Sequence, residues 1–159
     1  MNRIARGAIA ASTVAVLAPL ALAVPAQAST TSNGCTVTPG VPYYPNVDTT
    51  GNVPYVDRKI TVTCAVGLVA ETDSELMEQD TQAREGDPVD DFIGEYASTF
   101  DFTAGAGTKT VILRRALPTT PNEGLAEEMY QRLRFRVTSG VVTSPWTAFE
   151  LTAPKSINH

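Results

Sequence analysis

Tyr130-Gln131-Arg132-Leu133-Arg134-Phe135-Arg136-Val137-Thr138 carries the most regular pattern of the chain. Leu133, Phe135 and Val137 occupy one side of an alternation whose other side carries Arg132, Arg134, Arg136 and Thr138. That period of two belongs to a strand with one buried face. Register is strongly specified, because a slip of one residue would bury three charges, at several kcal/mol each by order of magnitude, and expose three apolar side chains. Ser139-Gly140 then turns the chain, and Trp146 to Leu151 reads as the final strand.

The same alternation recurs upstream. Ile60, Val62, Cys64 and Val66 interleave with Thr61, Thr63 and Ala65, and Cys35-Thr36-Val37-Thr38 is a short strand inside a segment otherwise rich in turn formers. Leu68 to Asp80 is read as a further strand and Thr81 to Asp91, with Gly86 and Pro88, as a loop. Phe92, Tyr96, Phe100 and Phe102 all fall on even positions, which predicts four aromatics on one face of a strand ending before Gly105 and Gly107. Thr110-Val111-Ile112-Leu113 opens another strand, and Leu117 to Gly124 is a turn-rich crossover. About seven short strands at this spacing, with no helix of consequence, predict an all-β antiparallel sandwich of two sheets.

Tyr130-Gln131-Arg132-Leu133-Arg134-Phe135-Arg136-Val137, followed by Thr143-Ser144-Pro145-Trp146-Thr147, resembles the end of a fibronectin type III domain. In that family a strand of this type is followed by a hairpin and a Ser-Pro-Trp start to the last strand. The resemblance spans residues 130–152 and implies an immunoglobulin-like, fibronectin type III-like architecture, with no catalytic residues to carry over. Ile60 to Ala65 is similar to the second strand of an immunoglobulin domain. The sixth strand, however, lacks the cysteine that pins the two sheets of such a domain. Cys64 is therefore expected to reach back to Cys35.

The first residues point to export. Arg3 and Arg6 precede an apolar run from Ala8 to Val24, and Ala26-Gln27-Ala28 has the small residues that a signal peptidase reads. Residues 1–28 are thus expected to be a cleaved signal peptide, 29–57 a Pro/Gly-rich segment carrying the first strand, 58–153 the sandwich core and 154–159 a flexible tail. Removing 28 of 159 residues leaves 131, the size of one domain. The leader takes two of the 12 basic residues with it, leaving ten against 17 acidic and a net charge of −7. Such a balance disfavours nucleic acid and anionic membrane as partners. The expected location is extracellular, as a secreted monomer. In that oxidising compartment Cys35 and Cys64 are expected to join rather than remain two free thiols.

Chemistry-bearing constellations are few. His159 is the only histidine and the last residue, and with both cysteines in a disulfide neither imidazole nor thiol catalysis has its main player. No Gly-rich phosphate loop, nucleophile elbow or zinc spacing is present, so no catalytic residue and no cofactor is assigned. Ten acidic residues crowd Glu71 to Glu95, and Asp87, Asp90 and Asp91 are the candidate Ca²⁺ ligands among them. A solvated acidic edge that discourages sheet-to-sheet pairing is the simpler explanation.

Two groups are candidates for a binding surface. Arg132, Arg134 and Arg136 stand about 7 Å apart on one strand face, where they could grip an anionic partner. The simpler expectation is a ladder with Glu71, Asp73 and Glu75, which share the two-residue spacing on a strand placed alongside. Tyr43 and Tyr44 lie in a Pro-rich loop with Tyr55 nearby, positioned either to contact a protein or glycan or to cap the core. The preferred function is a non-catalytic extracellular binding module for a protein or glycan. The alternatives are a carboxylate-dependent extracellular hydrolase, with or without Ca²⁺, and a small inhibitor of secreted enzymes.

Overall fold

The computed structural model describes residues 29–45, 55–79, 90–117 and 126–158. The expected signal peptide and Asp87 lie outside them. Among the described residues ten strands follow in order: β1 (Thr30–Ser32), β2 (Cys35–Pro39), β3 (Tyr55–Cys64), β4 (Leu68–Gln79), β5 (Asp90–Asp101), β6 (Gly107–Ala116), β7 (Ala126–Ser139), β8 (Val142–Thr143), β9 (Glu150–Leu151) and β10 (Lys155–Asn158). One sheet has the order β1-β2-β3-β6 and the other β10-β7-β4-β5, with β8 and β9 also on the β10 side of β7; every pairing is antiparallel. The expected all-β sandwich of two packed sheets is what the chain forms. β2 to β7 are the longer strands, and the four short ones raise the number above seven.

Alternation places the core where the sequence put it. Leu133, Phe135 and Val137 of β7 are buried with Ile60 and Val62 of β3, Ala70 of β4 and Phe100 of β5 in one apolar cluster, which also holds both cysteines. A second cluster, Val56, Leu76, Leu117, Met129 and Ile157, fills the other end. Between them the inward positions are polar. Arg58 of β3, Ser74 of β4 and Gln131 of β7 are at most 2 % exposed. Arg58 Nε and Gln131 Nε2 both donate to Ser74 Oγ, at 3.1 and 2.7 Å. Arg58 Nη1 and Gln131 Oε1 have no hydrogen-bond partner. Burial, with Arg115 adding a like charge, pushes the Arg58 guanidinium down to about 10, still protonated at neutral pH.

Several expectations need correction. β3 stops at Cys64, and Val66, expected to continue it, is 60 % exposed in the arch to β4. The four aromatics do not share a buried face: Phe100 and Phe102 are buried, but Phe92 and Tyr96 are 57 % and 51 % exposed. Two causes act: Tyr96, opposite inward-facing Ser74, stays on the side of Phe100 but lies on an edge strand that solvent reaches, whereas Phe92 is turned out by a bulge. β4 pairs Leu76 with Gly94 but Met77 with Phe92, so Ile93 is the extra residue and Phe92 changes face. Residues 154–159, expected as a flexible tail, include β10, which pairs with β7 through Met129↔Lys155 and buries Ile157. The β1–β2 hairpin turns on Asn33-Gly34, both with positive φ (49° and 80°), which suits a two-residue connection.

Candidate functional site

The three arginines do pair with the three acids. β4 and β7 lie side by side in the register Glu71↔Arg136, Asp73↔Arg134 and Glu75↔Arg132, so equal two-residue spacings meet rung by rung on the outer face of their sheet. Arg136 Nη2 reaches Glu71 Oε2 at 2.6 Å, Arg134 Nη2 reaches Asp73 Oδ2 at 2.8 Å, and Arg132 pairs with Glu75. The arginine side chains keep 36–37 % exposure, whereas those of Glu75 and Asp73 keep only 12 % and 9 %.

Two rings complete this ladder, and sequence reasoning missed them. Phe149 lies 4.9 Å from the Arg132 guanidinium and 4.7 Å from that of Arg134; Trp146 lies 5.2 Å from Arg134 and 4.8 Å from Arg136. The order Arg132, Phe149, Arg134, Trp146, Arg136 therefore alternates charge and ring, an arrangement that the ring quadrupoles favour. The expected strand Trp146 to Leu151 is reduced to β9, and the residues before it follow a different rule. Val137 and Phe135 N–H donate to Ser144 Oγ and Thr147 Oγ1, at 3.0 Å each. Ser144 and Thr147 N–H donate back to the carbonyls of Val137 and Phe135. Hydroxyls thus replace carbonyls as the acceptors for β7. Ser144 to Thr147 and Trp146 to Phe149 are both three-residue steps, the period of an extended polyproline-type chain, which is the signal that could have located the rings.

The tyrosines belong to the opposite outer face. Tyr43 forms an isolated bridge with Asp57 through two 2.9 Å backbone hydrogen bonds, and Asp57 lies opposite Arg114 of β6. Arg114 Nε and Nη2 donate to the two carboxylate oxygens of Asp57, each at 2.7 Å, and its guanidinium lies 5.9 Å from the Tyr55 ring. The Asp57 hydrogen bonds hold the guanidinium above its ordinary value. Tyr43 and Tyr44 are 39 % and 37 % exposed. Tyr43, Tyr55 and Arg114 thus form one corner of the β1-β2-β3-β6 sheet, with Arg114 fixed by a buried carboxylate. The structure separates this corner from the ladder by the thickness of the sandwich.

The acidic candidates fare differently from one another. Asp90 Oδ2 accepts from the Tyr130 hydroxyl at 2.8 Å, and burial together with that bond pushes the phenol up to about 12. Asp91 is exposed on β5, opposite Glu78. Among the described residues no group of three or more His, Cys, Asp or Glu side chains is placed to hold a metal ion. Glu95, opposite Glu75 on β5, is held above the usual carboxylate range by the charge and hydrogen bond of Asp73, then by desolvation and Glu75, against the pull of Arg134.

Cys35 and Cys64 are joined, directly opposite each other on β2 and β3 with Cα atoms 4.1 Å apart. The bond is a staple within one sheet, not between sheets. Among the described residues no helix is long and apolar enough to cross a membrane. Compared with protein-family models and with curated proteins, the chain matches none.

Proposed function

We propose that the chain is a secreted, non-catalytic binding module of the immunoglobulin-like, fibronectin type III-like class, which contacts an extracellular protein or glycan through the Tyr43, Tyr55 and Arg114 corner. The observation that carries this reading is the pairing of Arg114 with buried Asp57 beside the half-buried Tyr55 ring, with Tyr43 exposed on the segment bridged to Asp57. Rings and a guanidinium fixed in advance lose little freedom on contact, which is how tyrosine-rich surfaces reach useful affinity. The sheet orders, with β2, β3 and β6 facing β7, β4 and β5 in turn, support the class assignment. Export is supported by the basic and apolar leader and by the disulfide.

The ladder is a weaker candidate for the contact surface, because its guanidinium edges meet carboxylates and its central faces meet rings. The hydrolase alternative draws no support from Glu71, Asp73 and Glu75, whose carboxylates are engaged by arginines. The inhibitor alternative makes the same demand on an exposed surface as the binding module.

Tyr43→Ala and Tyr55→Ala test the proposal. Mature protein immobilised and exposed to the culture medium and surface fraction of its source is expected to retain one specific protein or glycan. Each substitution is expected to weaken retention at least tenfold while leaving the melting temperature within about 3 °C of the parent, the shift expected for under ~1 kcal/mol. Retention unaffected by both would remove the corner from the proposal. Turnover of a substrate in a hydrolase panel would remove the non-catalytic reading.

A further inference from the structure

One lateral side of the sandwich ends in two open strands, β5 of one sheet and β6 of the other, and among the described residues no strand pairs with the outer edge of either. Such edges are normally blunted, since their free N–H and C=O groups template further pairing. Here they are long, 12 and 10 residues, and solvent reaches both: Glu95, Tyr96, Ala97 and Thr99 of β5 are exposed, as are Thr108, Thr110, Ile112 and Arg114 of β6.

Parity shows which backbone groups are free. Phe102 N–H donates to the Leu68 carbonyl at 2.8 Å and the Phe102 carbonyl accepts from Gly67 N–H at 3.0 Å. In an antiparallel ladder every second residue points the same way, so Phe100, Ser98 and Tyr96 also turn their backbone groups toward β4. Those of Glu95, Ala97, Thr99 and Asp101 point outward. Likewise Asp57 exchanges backbone bonds with Tyr43, and the Lys59 carbonyl accepts from Gly40 N–H, on the side of β3 away from β6. Arg58, Ile60 and Val62 therefore bond to β6 through Leu113, Val111 and Lys109, which leaves the groups of Thr108, Thr110, Ile112 and Arg114 outward.

The two edges are also stacked at a known height. An added Cβ on Gly94 would lie 2.8 Å from Arg115 Nε, and Lys109 Nζ donates to the Asp101 carbonyl. Both reaching groups are tips of long side chains, and together they put residue 94 within about one or two residues of the height of 115, and 101 likewise of 109. A two-fold axis parallel to the strands keeps every height and direction while exchanging the sheets. It would lay β5 of one copy antiparallel beside β6 of its partner, and β6 beside the partner's β5. Counting from Gly94 beside Arg115, the facing residues are Glu95 with Arg114, Ala97 with Ile112, Thr99 with Thr110, and Asp101 with Thr108. These are the residues whose donors and acceptors point outward on both edges. Charge agrees: β5 carries Asp90, Asp91, Glu95 and Asp101 with no basic residue, and β6 carries Lys109, Arg114 and Arg115 with no acidic one.

We propose that a second copy of this chain docks on this side, β5 to β6 in both directions, as an isologous dimer whose two sheets run on through the interface. Ile112, 56 % exposed in the single chain, would then lie beside Ala97 of the other copy. The bulge at Ile93 ends the pairing stretch just before Glu95. This inference does not rest on the Tyr43 and Tyr55 corner, except that Arg114 is shared.

Sedimentation velocity on the mature chain between about 10 µM and 1 mM, the range of a weak interface, tests it alongside amide exchange. The expected result is a concentration-dependent monomer–dimer equilibrium. The amides of Ala97, Thr99, Thr110 and Ile112 should gain protection as concentration rises. Thr99→Pro removes an N–H that only the dimer uses, so it should weaken association at least tenfold with the monomer still folded. Glu95→Arg keeps the test decisive if Thr99→Pro fails to fold, because it relieves repulsion within the monomer while setting like charges across the interface; it too should weaken association at least tenfold. A monomer throughout, an open-ended assembly, protection confined to other strands, or a dimer indifferent to Glu95→Arg would each overturn the proposal.

Discussion

The two sheets clamp their strands by different physics. β2 and β3 are held by a covalent bond between facing residues, Cys35 and Cys64. β4 and β7 are held by three facing ion pairs, with Phe149 between the Arg132 and Arg134 guanidinium groups and Trp146 between those of Arg134 and Arg136. The first clamp acts chiefly by restricting the unfolded chain and is indifferent to salt and moderate pH. The second acts within the folded state, works against the desolvation of Asp73 and Glu75, and must respond to the charges around it. One sheet is therefore stapled and the other tuned.

Opening the staple should give the largest effect. The bond closes a loop with a sequence separation of 29 residues, for which the chain-entropy estimate is about 3.5 kcal/mol. Reduction, or Cys35→Ser with Cys64→Ser, is expected to lower the melting temperature by roughly 6 to 20 °C. Thiol titration of the unreduced protein should give zero. A melting temperature unchanged by reduction would mean that both sheets depend on non-covalent clamping alone, and the contrast would fail.

Cutting the middle rung of the ladder should cost less, but more than exposed pairs usually do. An exposed ion pair is worth under about 1 kcal/mol, and breaking a fully buried one costs about 3 to 5 kcal/mol. Arg134 keeps 37 % side-chain exposure but its partner Asp73 only 9 %, and Asp73 Oδ1 already lacks a hydrogen bond. Arg134→Gln strands that carboxylate and leaves Trp146 and Phe149 without their shared cation, so about 2 kcal/mol is expected. Arg136→Gln is the internal control: Glu71 is 34 % exposed, and the loss should stay under about 1 kcal/mol. Urea melts of the two variants decide it. Equal losses would mean that burial of the acid does not set the strength of the rung.

Much of this contrast is legible in the sequence alone. Equal spacing of Arg132, Arg134 and Arg136 against Glu71, Asp73 and Glu75 is a pattern of period two, and strands display such patterns directly. The disulfide followed from two cysteines and the expectation of export. What stayed hidden had no period of two to reveal it. The bulge at Ile93 is a single extra residue, invisible until β4 supplies its partner positions. Trp146 and Phe149 sit in a segment of period three read with a strand template. Arg58 is charged at an inward position, which alternation alone would have faulted. The apolar pattern of β10 rests on Ile157, which is buried but too little to announce a strand.

The smallest expected effect sharpens the contrast most, because only the tuned sheet should show it. Glu95 sits on β5 opposite Glu75 and diagonal to Asp73, facing Arg134 and Arg132 across β4. Its carboxyl is held above the ordinary value chiefly by Asp73. A carboxyl whose folded value is raised contributes stability that is fully present below its unfolded value of about 4.3. That contribution is lost as pH rises through the folded value. At neutral pH Glu95 is therefore a net repulsion, the reverse of the usual carboxylate. Glu95→Gln, which mimics the protonated acid, should melt higher than the parent at pH 7 in dilute monomeric samples. The gap should close as pH falls below about 4, where the parent carries the proton itself. Added salt at pH 7 should narrow the gap too, since Glu95 is exposed and its neighbours' charges are screened. In the reduced protein the gap should be unchanged, because the disulfide belongs to the other sheet and the two clamps share no partner. A gap that widened toward acid pH would mean that Glu95 is stabilised as an anion, through Arg134 or Arg132, and that the ladder reaches one strand further than β4 and β7.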